Sequence, residues 1–382
     1  MLPKEEYLLD LPLRVETENE IQLMLAHMAK HGGSDLYIYA NNPVWMRLYG
    51  RMVRISKRKL KINEVRALIN ILGNSSATSR LGDAEPINSS YEFKEDISVT
   101  PEKTIQRRLR FRVNAVSNIS LGDAGISITI RKLSTDLVSA RELGVEEEII
   151  DLVQRTRQGL CLVAGATGHG KSTLLASLIT ECLMDEDGNH VLVTVEAPVE
   201  YVYDELDMPS SLVCQIEVGS CIKSFGKGAE NTLRMAPTMI VVGEIRDMDT
   251  AVVGLEASNT GHTLLATLHA NTVASMPERF ISLFETDSEK HKARFDLINE
   301  SKILIIQRLV PTLDGKRVAI REYLIFTPEV RDYLLENTNN LTKATREALE
   351  KWGKPMRHDI ERILNEGMIT ADEARKLTLE YQ

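Results

Sequence analysis

The stretch "GATGHGKST", residues 165–173, has the spacing G-x-x-x-x-G-K-[ST] at Gly165, Gly170, Lys171 and Ser172. Residues of these types at this spacing handle phosphate. Glycines let successive backbone N–H groups turn inward around an anion, and a helix N-terminus adds a favourable field. Lys171 is expected to reach the β- and γ-phosphates, and the Ser172 hydroxyl to ligate Mg²⁺. Ala166, Thr167, Gly168, His169 and Thr173 complete the loop. His169 stands where many such loops carry a small residue, and it is expected to face solvent. The implied ligands are ATP and Mg²⁺.

Two carboxylates fit beside such a loop. "MIVVGE" is an apolar run ending in Glu244, about seventy residues beyond Lys171. A carboxylate at the carboxyl end of a core strand can hold Mg²⁺ or polarise the attacking water. "VTVEAPVEYVYD" ends a second apolar run, with Glu196 and Glu200 flanking Pro198. The proline should stop the strand and leave Glu196 at the sheet edge, where open α/β folds bind ligands.

Two further sets of residues are ambiguous alone. In "EASNTGHTLLATLHAN", His262 and His269 bracket a short apolar run. As a helix, a seven-residue spacing puts both rings on one face; as a strand, it puts one at each end. Gly261 and the threonines favour the strand. "RLRFRVNA" places Arg110 and Arg112 two apart on one strand face. Alone that is a solvated basic face, but in an oligomeric NTPase such arginines can be supplied to a neighbour's γ-phosphate, an effect of roughly a thousandfold or more.

The elements that must position these groups fall into two patterns. Up to about residue 133 the chain reads as a small α+β domain. Thr17 and Glu20 form a capping box for a helix stopped near Gly32. "SDLYIYA" alternates, "PVWMRLYGRMVRI" reads as two strands turning at Gly50, and "RRLRFRVNAV" and "GISITIRKL" are strand-like. Residues 134–145 form a polar connection, taken as a linker. Over residues 146–382, "LCLVAG", "HVLVTVEA", "MIVVGE" and "TLLATL" alternate with helical stretches, implying a mostly parallel sheet covered by helices. The last forty residues read as helical, with a capping box from Thr370 to Glu373.

In this order the motifs resemble the type II/IV secretion ATPase superfamily, especially its PilT-like members, over nearly the whole chain. "GGSDLYIYANNPVWMRLYGRMVRI" is similar to that family's N-terminal PAS-like domain, and "RFRVNA" to its nucleotide-contacting arginine strand. "GATGHGKST" resembles its Walker A motif, "VEAPVEYV" its acidic box, "LRMAPTMIVVGEIRD" its Walker B segment and "NTGHTLLATLHANT" its His box. "QRLVPTLDGKRVAIREYLIFTPEVRDYL" resembles its C-terminal segment.

The resemblance implies a RecA-like P-loop ATPase domain behind the smaller N-terminal domain, and a homo-hexamer. It makes His262 and His269 phosphate sensors at the carboxyl edge of the sheet, and Glu196 the group that activates water. It also lets Arg110, Arg112 and Arg131 complete a neighbouring subunit's site. The acidic box departs from the family's Glu-Asp-Pro, because Ala197 replaces the aspartate. With Ile216 in place of a frequent arginine, this points to the DotB-type branch of type IVB secretion and conjugation. Hydrolysis would then drive domain motion, with inner-membrane components of a secretion machine as partners.

Composition narrows the alternatives. A formal net charge of -9 argues against a protein that coats nucleic acid, and so against the rival reading of a RecA-like nucleic-acid motor. A type IV pilus retraction ATPase is the nearer alternative, and a nucleotide-gated scaffold of weak activity the third. The four cysteines show no zinc-type pairing, and Cys161 and Cys182 read as reduced core residues. No apolar stretch is long enough to span a bilayer, and the acidic N-terminus lacks a signal core, so a cytoplasmic location is expected.

Overall fold

The computed structural model describes residues 5–100, 103–133 and 136–381. They form two compact units: Met1–Asp136 with the short segment Ala197–Tyr201, and Leu137–Glu196 with Val202–Gln382.

In the first unit, helix α1 (Glu18–Lys30) is followed by strands β1 (Asp35–Tyr39), β2 (Pro43–Leu48) and β3 (Arg51–Lys59). Helices α2 (Ile62–Gly73) and α3 (Ala77–Gly82) precede β4 (Ile87–Thr100), β5 (Lys103–Ser120) and β6 (Asp123–Lys132). The six strands form one antiparallel sheet in the order β3-β2-β1-β6-β5-β4. Helix α1 begins where expected: the Glu20 carboxylate accepts the Thr17 N–H at 2.6 Å, satisfying a donor that the first turn leaves free. Leu36 and Ile38 of β1 are buried with Met24 and Leu25 of α1 and Leu68 and Ile69 of α2. The β2–β3 hairpin turns through Tyr49 and Gly50, both at positive φ (47° and 77°), as a two-residue turn requires. Phe111 of β5 is fully buried in the same core. Its burial fixes which face of β5 carries the arginines on either side of it.

The second unit opens with α4 (Glu147–Arg155), β7 (Gly159–Ala164) and α5 (Lys171–Leu183). Then come β8 (Val191–Glu196), β9 (Leu212–Glu217), α6 (Phe225–Thr232), β10 (Met239–Val242), α7 (Met248–Asn259) and β11 (Thr263–Leu268). Helices α8 (Met276–Ile281) and α9 (Asp287–Glu300) lead to the hairpin β12 (Ser301–Pro311) and β13 (Arg317–Ile325). The chain closes with α10 (Pro328–Glu336), α11 (Leu341–Trp352), α12 (Met356–Asn365) and α13 (Ala371–Glu380). The sheet order is β13-β12-β7-β11-β10-β8-β9, parallel throughout except for β13, which runs antiparallel to β12. Every residue of β7, β10 and β11 is buried, the pattern of strands covered on both faces. Cys161 and Cys182 lie in this interior as free thiols, each pushed up to about 12 by burial.

The polar connection is shorter than expected over 134–145. Ser134 and Thr135 lie outside the described residues, but from Leu137 the chain belongs to the second unit. Ala140 is fully buried and its N–H donates to Glu181 at 3.0 Å, while Arg141 pairs with Glu181 and Glu147. Two small apolar anchors, Ala140 and Val145, seat a stretch whose composition looks solvated. Among the described residues no helix is long and apolar enough to cross a membrane.

Candidate active site

Strand β7 ends at Ala164, and the loop 165–170 carries the chain into α5. Gly165 has φ +145°, and a Cβ there would meet the Gln307 carbonyl oxygen at 2.5 Å, so only glycine fits. Gly170 caps α5 in the left-handed region. The Lys171 ammonium turns back over the loop, donating to the carbonyls of Gly165 (2.7 Å) and Ala166 (3.1 Å). Ser172 follows in the first turn of α5, its hydroxyl oxygen being the hard donor that Mg²⁺ prefers.

The loop is also strapped from outside. Register pairs Ile306 of β12 with Ala164, which sets Gln307 beside Gly165. The Gln307 amide donates to the carbonyls of His169 (3.0 Å) and Gly170 (2.9 Å). His169 does not face solvent as expected: its Nδ1 accepts the Leu309 N–H at 3.0 Å. That bond needs a ring unprotonated at Nδ1. Burial, and then the charges of Arg308, Lys171 and Arg317, hold its pKa below the ordinary histidine value.

Glu244 and Glu196 sit at the carboxyl ends of neighbouring strands, because β10 and β8 pair in parallel register. Between them the backbone approach is close: a Cβ on Gly243 would stand 3.3 Å from the Glu196 Cα. Glu196 accepts from the Thr194 hydroxyl at 2.7 Å and from the Gln215 amide at 3.3 Å. Glu244 is held by two groups, His269 Nε2 at 3.0 Å from one oxygen and Arg246 Nε at 2.7 Å from the other. Arg246 in turn lies over the Phe225 ring.

The two histidines part company here. β11 is a strand, with Leu268 aligned to Ala164 and Thr263 to Gly159. His269 therefore emerges at the loop end of the sheet. His262 lies at the opposite end, where its carbonyl accepts the Gly159 N–H at 3.0 Å and its Nδ1 lies 3.2 Å from the Ala257 carbonyl. A six-residue strand at about 3.3 Å per residue separates them by roughly 20 Å. The expected placement of His262 at the carboxyl edge is corrected: it stands at the opposite end of β11 from the phosphate loop.

Comparison with known proteins settles the family. A family model described as type II/IV secretion system protein matches residues 17–316. The chain belongs to this family. The type IV pilus ATPase PilU of Pseudomonas aeruginosa is 32% identical over 357 residues, covering 93% of this chain and 87% of that protein. The X-ray structure of the Legionella pneumophila ATPase DotB superposes with a TM-score of 0.88 at 35% identity, covering 98% of this chain and 99% of that one. The pilus retraction motor PilT with bound ADP superposes at 0.75 with 27% identity, over 93% and 96% of the two chains. The protein is thus a P-loop ATPase of the type II/IV secretion family, PilT-like and DotB-like, with a RecA-like domain behind a smaller N-terminal one.

The arginines of this secretion ATPase's "RLRFRVNA" strand, and Arg131, lie on the first unit. Arg110 is 4% exposed, and its three nitrogens donate to Glu92 (2.9 Å), the Glu200 carbonyl (2.9 Å) and the Val199 carbonyl (3.0 Å). Both carbonyls belong to the segment 197–201, which clusters with this unit. In this chain the buried Arg110 guanidinium is committed to these partners and holds the acidic-box segment. Arg131 donates to Asp35 at 2.7 Å. Arg112 is paired in register with Arg131 on β6 and with Ser90 on β4, and its side chain has no hydrogen bond or ion pair among the described residues.

Among the described residues no cluster of three or more His, Cys, Asp or Glu side chains could hold a metal. Mg²⁺ is commonly bound through one or two protein oxygens and substrate phosphates, and the Ser172 hydroxyl and Glu244 carboxylate are oxygen donors of that kind. Ser172 and Glu244 would hold it, and it would neutralise charge on the transferring phosphate.

Proposed function

We propose that this protein is a cytoplasmic, hexameric, Mg²⁺-dependent ATPase that powers a type IVB secretion or conjugation machine by ATP-driven domain motion. The observation that carries the ATPase chemistry is the juxtaposition on one sheet edge: a phosphate loop, then His269, Glu244 and Glu196 at successive strand ends. Lys171 and the loop amides bind phosphate, Ser172 and Glu244 hold the cation, and Glu196 activates water. The likeness to DotB over nearly the full length of both chains supports the type IVB assignment. The similarity to PilU over 93% of the chain favours pilus retraction as the second reading. Its partners are further copies of itself and inner-membrane machine components, with no direct nucleic-acid contact.

A membrane pull-down with Glu244→Gln, which is expected to bind nucleotide without hydrolysing it, tests the machine. Recovery of secretion-channel proteins supports the first reading, and recovery of pilus-platform proteins the second. Among the arginines, Arg112 is our choice to act in a neighbour's site. Arg112→Ala subunits mixed with Lys171→Ala subunits should recover ATPase activity above either parent alone. Absence of recovery in rings shown to exchange subunits would return Arg112 to a solvated basic strand.

A further inference from the structure

The strap on the phosphate loop has its own support, and that support leads away from the site. Gln307 of β12 is directly opposite Arg321 of β13 in the hairpin register. Arg321 is 2% exposed, and its Nε donates to the Gln307 Oε1 at 2.8 Å. The guanidinium thereby fixes which end of the Gln307 amide faces the loop. The oxygen is taken by Arg321, so the NH₂ must point to the His169 and Gly170 carbonyls.

The other two nitrogens of Arg321 reach residues 143–144. Nη1 donates to the Gly144 carbonyl at 2.8 Å and Nη2 to the Leu143 carbonyl at 3.2 Å, with Glu146 3.5 Å away. These residues follow the point where the chain enters the second unit. The Arg321 backbone N–H donates to Asp359 at 2.8 Å, and Asp359 pairs with Lys354 and Arg362. One face of the network is thus anchored in α12. Nothing in nucleotide chemistry requires a buried arginine here, and a buried charge is costly unless it is fully paired.

We propose that Arg321 is a positioning residue, acting through Gln307 to couple the shape of the phosphate loop to the seating of residues 139–146. Phosphate binding pulls the loop amides inward and loads the Gln307 strap. A guanidinium shared between Gln307 and the 143–144 carbonyls passes that load on, and a shift of those carbonyls acts on the loop in the same way. The coupling is reciprocal, as linkage demands. It rests on the reading that residues 165–173 bind nucleotide.

The test uses the full chain, MgADP as probe, and two measurements: calorimetric affinity and hydrogen exchange. Gln307→Glu keeps an acceptor for Arg321 but presents an anion, not an NH₂, to the His169 and Gly170 carbonyls. It should weaken MgADP binding about tenfold or more, the lost contacts plus repulsion corresponding to at least about 1.4 kcal/mol. Arg321→Lys keeps the charge beside Glu146 but cannot span three acceptors. In the parent, MgADP should slow exchange over 139–146 as well as over the loop. In Arg321→Lys the loop should remain protected by MgADP while the slowing over 139–146 is lost. Parent affinity in Gln307→Glu, or undiminished 139–146 protection in Arg321→Lys, overturns the coupling. If Arg321→Lys does not fold, Gln307→Glu at saturating MgADP should lose the 139–146 protection, and its retention there overturns the coupling. A parent that binds no MgADP would instead sink the nucleotide reading. The strap would then be judged by loop exchange alone, which must be faster in ligand-free Gln307→Glu than in the parent.

Discussion

His269→Ala and His262→Ala should have sharply different consequences, although the two residues flank the same six-residue strand. His269 donates to one oxygen of Glu244 at 3.0 Å, and Arg246 holds the other. A hydrogen bond involving a charged group contributes about 1.5–3 kcal/mol. The His269 side chain is 47% exposed and Glu244 keeps Arg246, so solvent screening places the loss nearer about 1–2 kcal/mol. If that orientation is needed in the transition state, kcat falls about 5- to 30-fold. The expected drop is in kcat, with nucleotide affinity within about twofold, because the phosphates are held by the loop. His269→Gln, whose amide can still donate toward Glu244, should recover part of the loss.

His262 stands at the other end of the strand, and its ring contacts are the Ala257 carbonyl and the Thr260 hydroxyl, both 3.2 Å away. Removing them costs about 1 kcal/mol of local stability at most and should leave kcat within about twofold. The assay is steady-state phosphate release at saturating MgATP, with ligand-free thermal melts to confirm that all three variants fold. Equal kcat losses in His262→Ala and His269→Ala, at parental stability, would refute the assignment of the two ends.

Glu244→Gln should bind MgATP within a few-fold of the parent while kcat falls about a hundredfold or more, since shape is kept and charge is lost; single-turnover phosphate release separates the two effects. Glu196→Gln should behave alike, and hydrolysis at the parent rate would move water activation to another group. Lys171→Ala should abolish ligand stabilisation: MgADP at a hundred times the parental Kd stabilises the parent by about 2.7 kcal/mol and should not raise the melting point of the variant. Glu322, 3% exposed, is pushed up to about 7 by burial. Its folded pKa exceeds the ordinary 4.5, so stability is full below about 4.5 and is lost as pH rises through about 7. Glu322→Gln should flatten that loss by up to about 3 kcal/mol between pH 5 and 8.5 in denaturant titrations, and an unchanged slope would refute it.

The sequence reveals groups whose chemistry depends on local spacing. The phosphate loop, the strand ending in Glu196 before Pro198, the α1 capping box and the Tyr49–Gly50 turn are all set by neighbours along the chain. What it hides depends on register. β4, "INSSYEFKEDISVT", is rich in polar residues and becomes a strand only because β5 pairs along it. Gln307 and Arg321 look like stray polar residues in apolar runs, and nothing local says that a hairpin sets them opposite one another beside Gly165. A buried Gln and Arg in strands that are otherwise apolar is the one signal that could have marked them. Arg110 and Arg112 are equivalent by spacing, yet Glu92 and the 199–200 carbonyls bury one and leave the other half-exposed.

The division of labour proposed for the two glutamates is consistent with strand order. β11 lies between β7, which carries the loop, and β10, which carries Glu244. Strands are spaced about 4.8 Å apart, so Glu244 starts roughly 10 Å from the loop strand and Glu196, one strand further, roughly 14 Å. The nearer distance leaves room for phosphates and a hydrated cation between the loop and a carboxylate. The farther one leaves room for those and a water molecule beyond them. On the proposed chemistry this spacing suits Glu244 to balance charge and Glu196 to accept a proton from water. His269, on the strand between, borders the first gap and pairs with the nearer carboxylate. Had β11 been added at the sheet edge instead, β7 and β10 would be adjacent, and the first gap would shrink to about 5 Å. That is too narrow for phosphate and cation together. On the proposed chemistry, the inserted strand is thus what would let one loop and two carboxylates share a nucleotide.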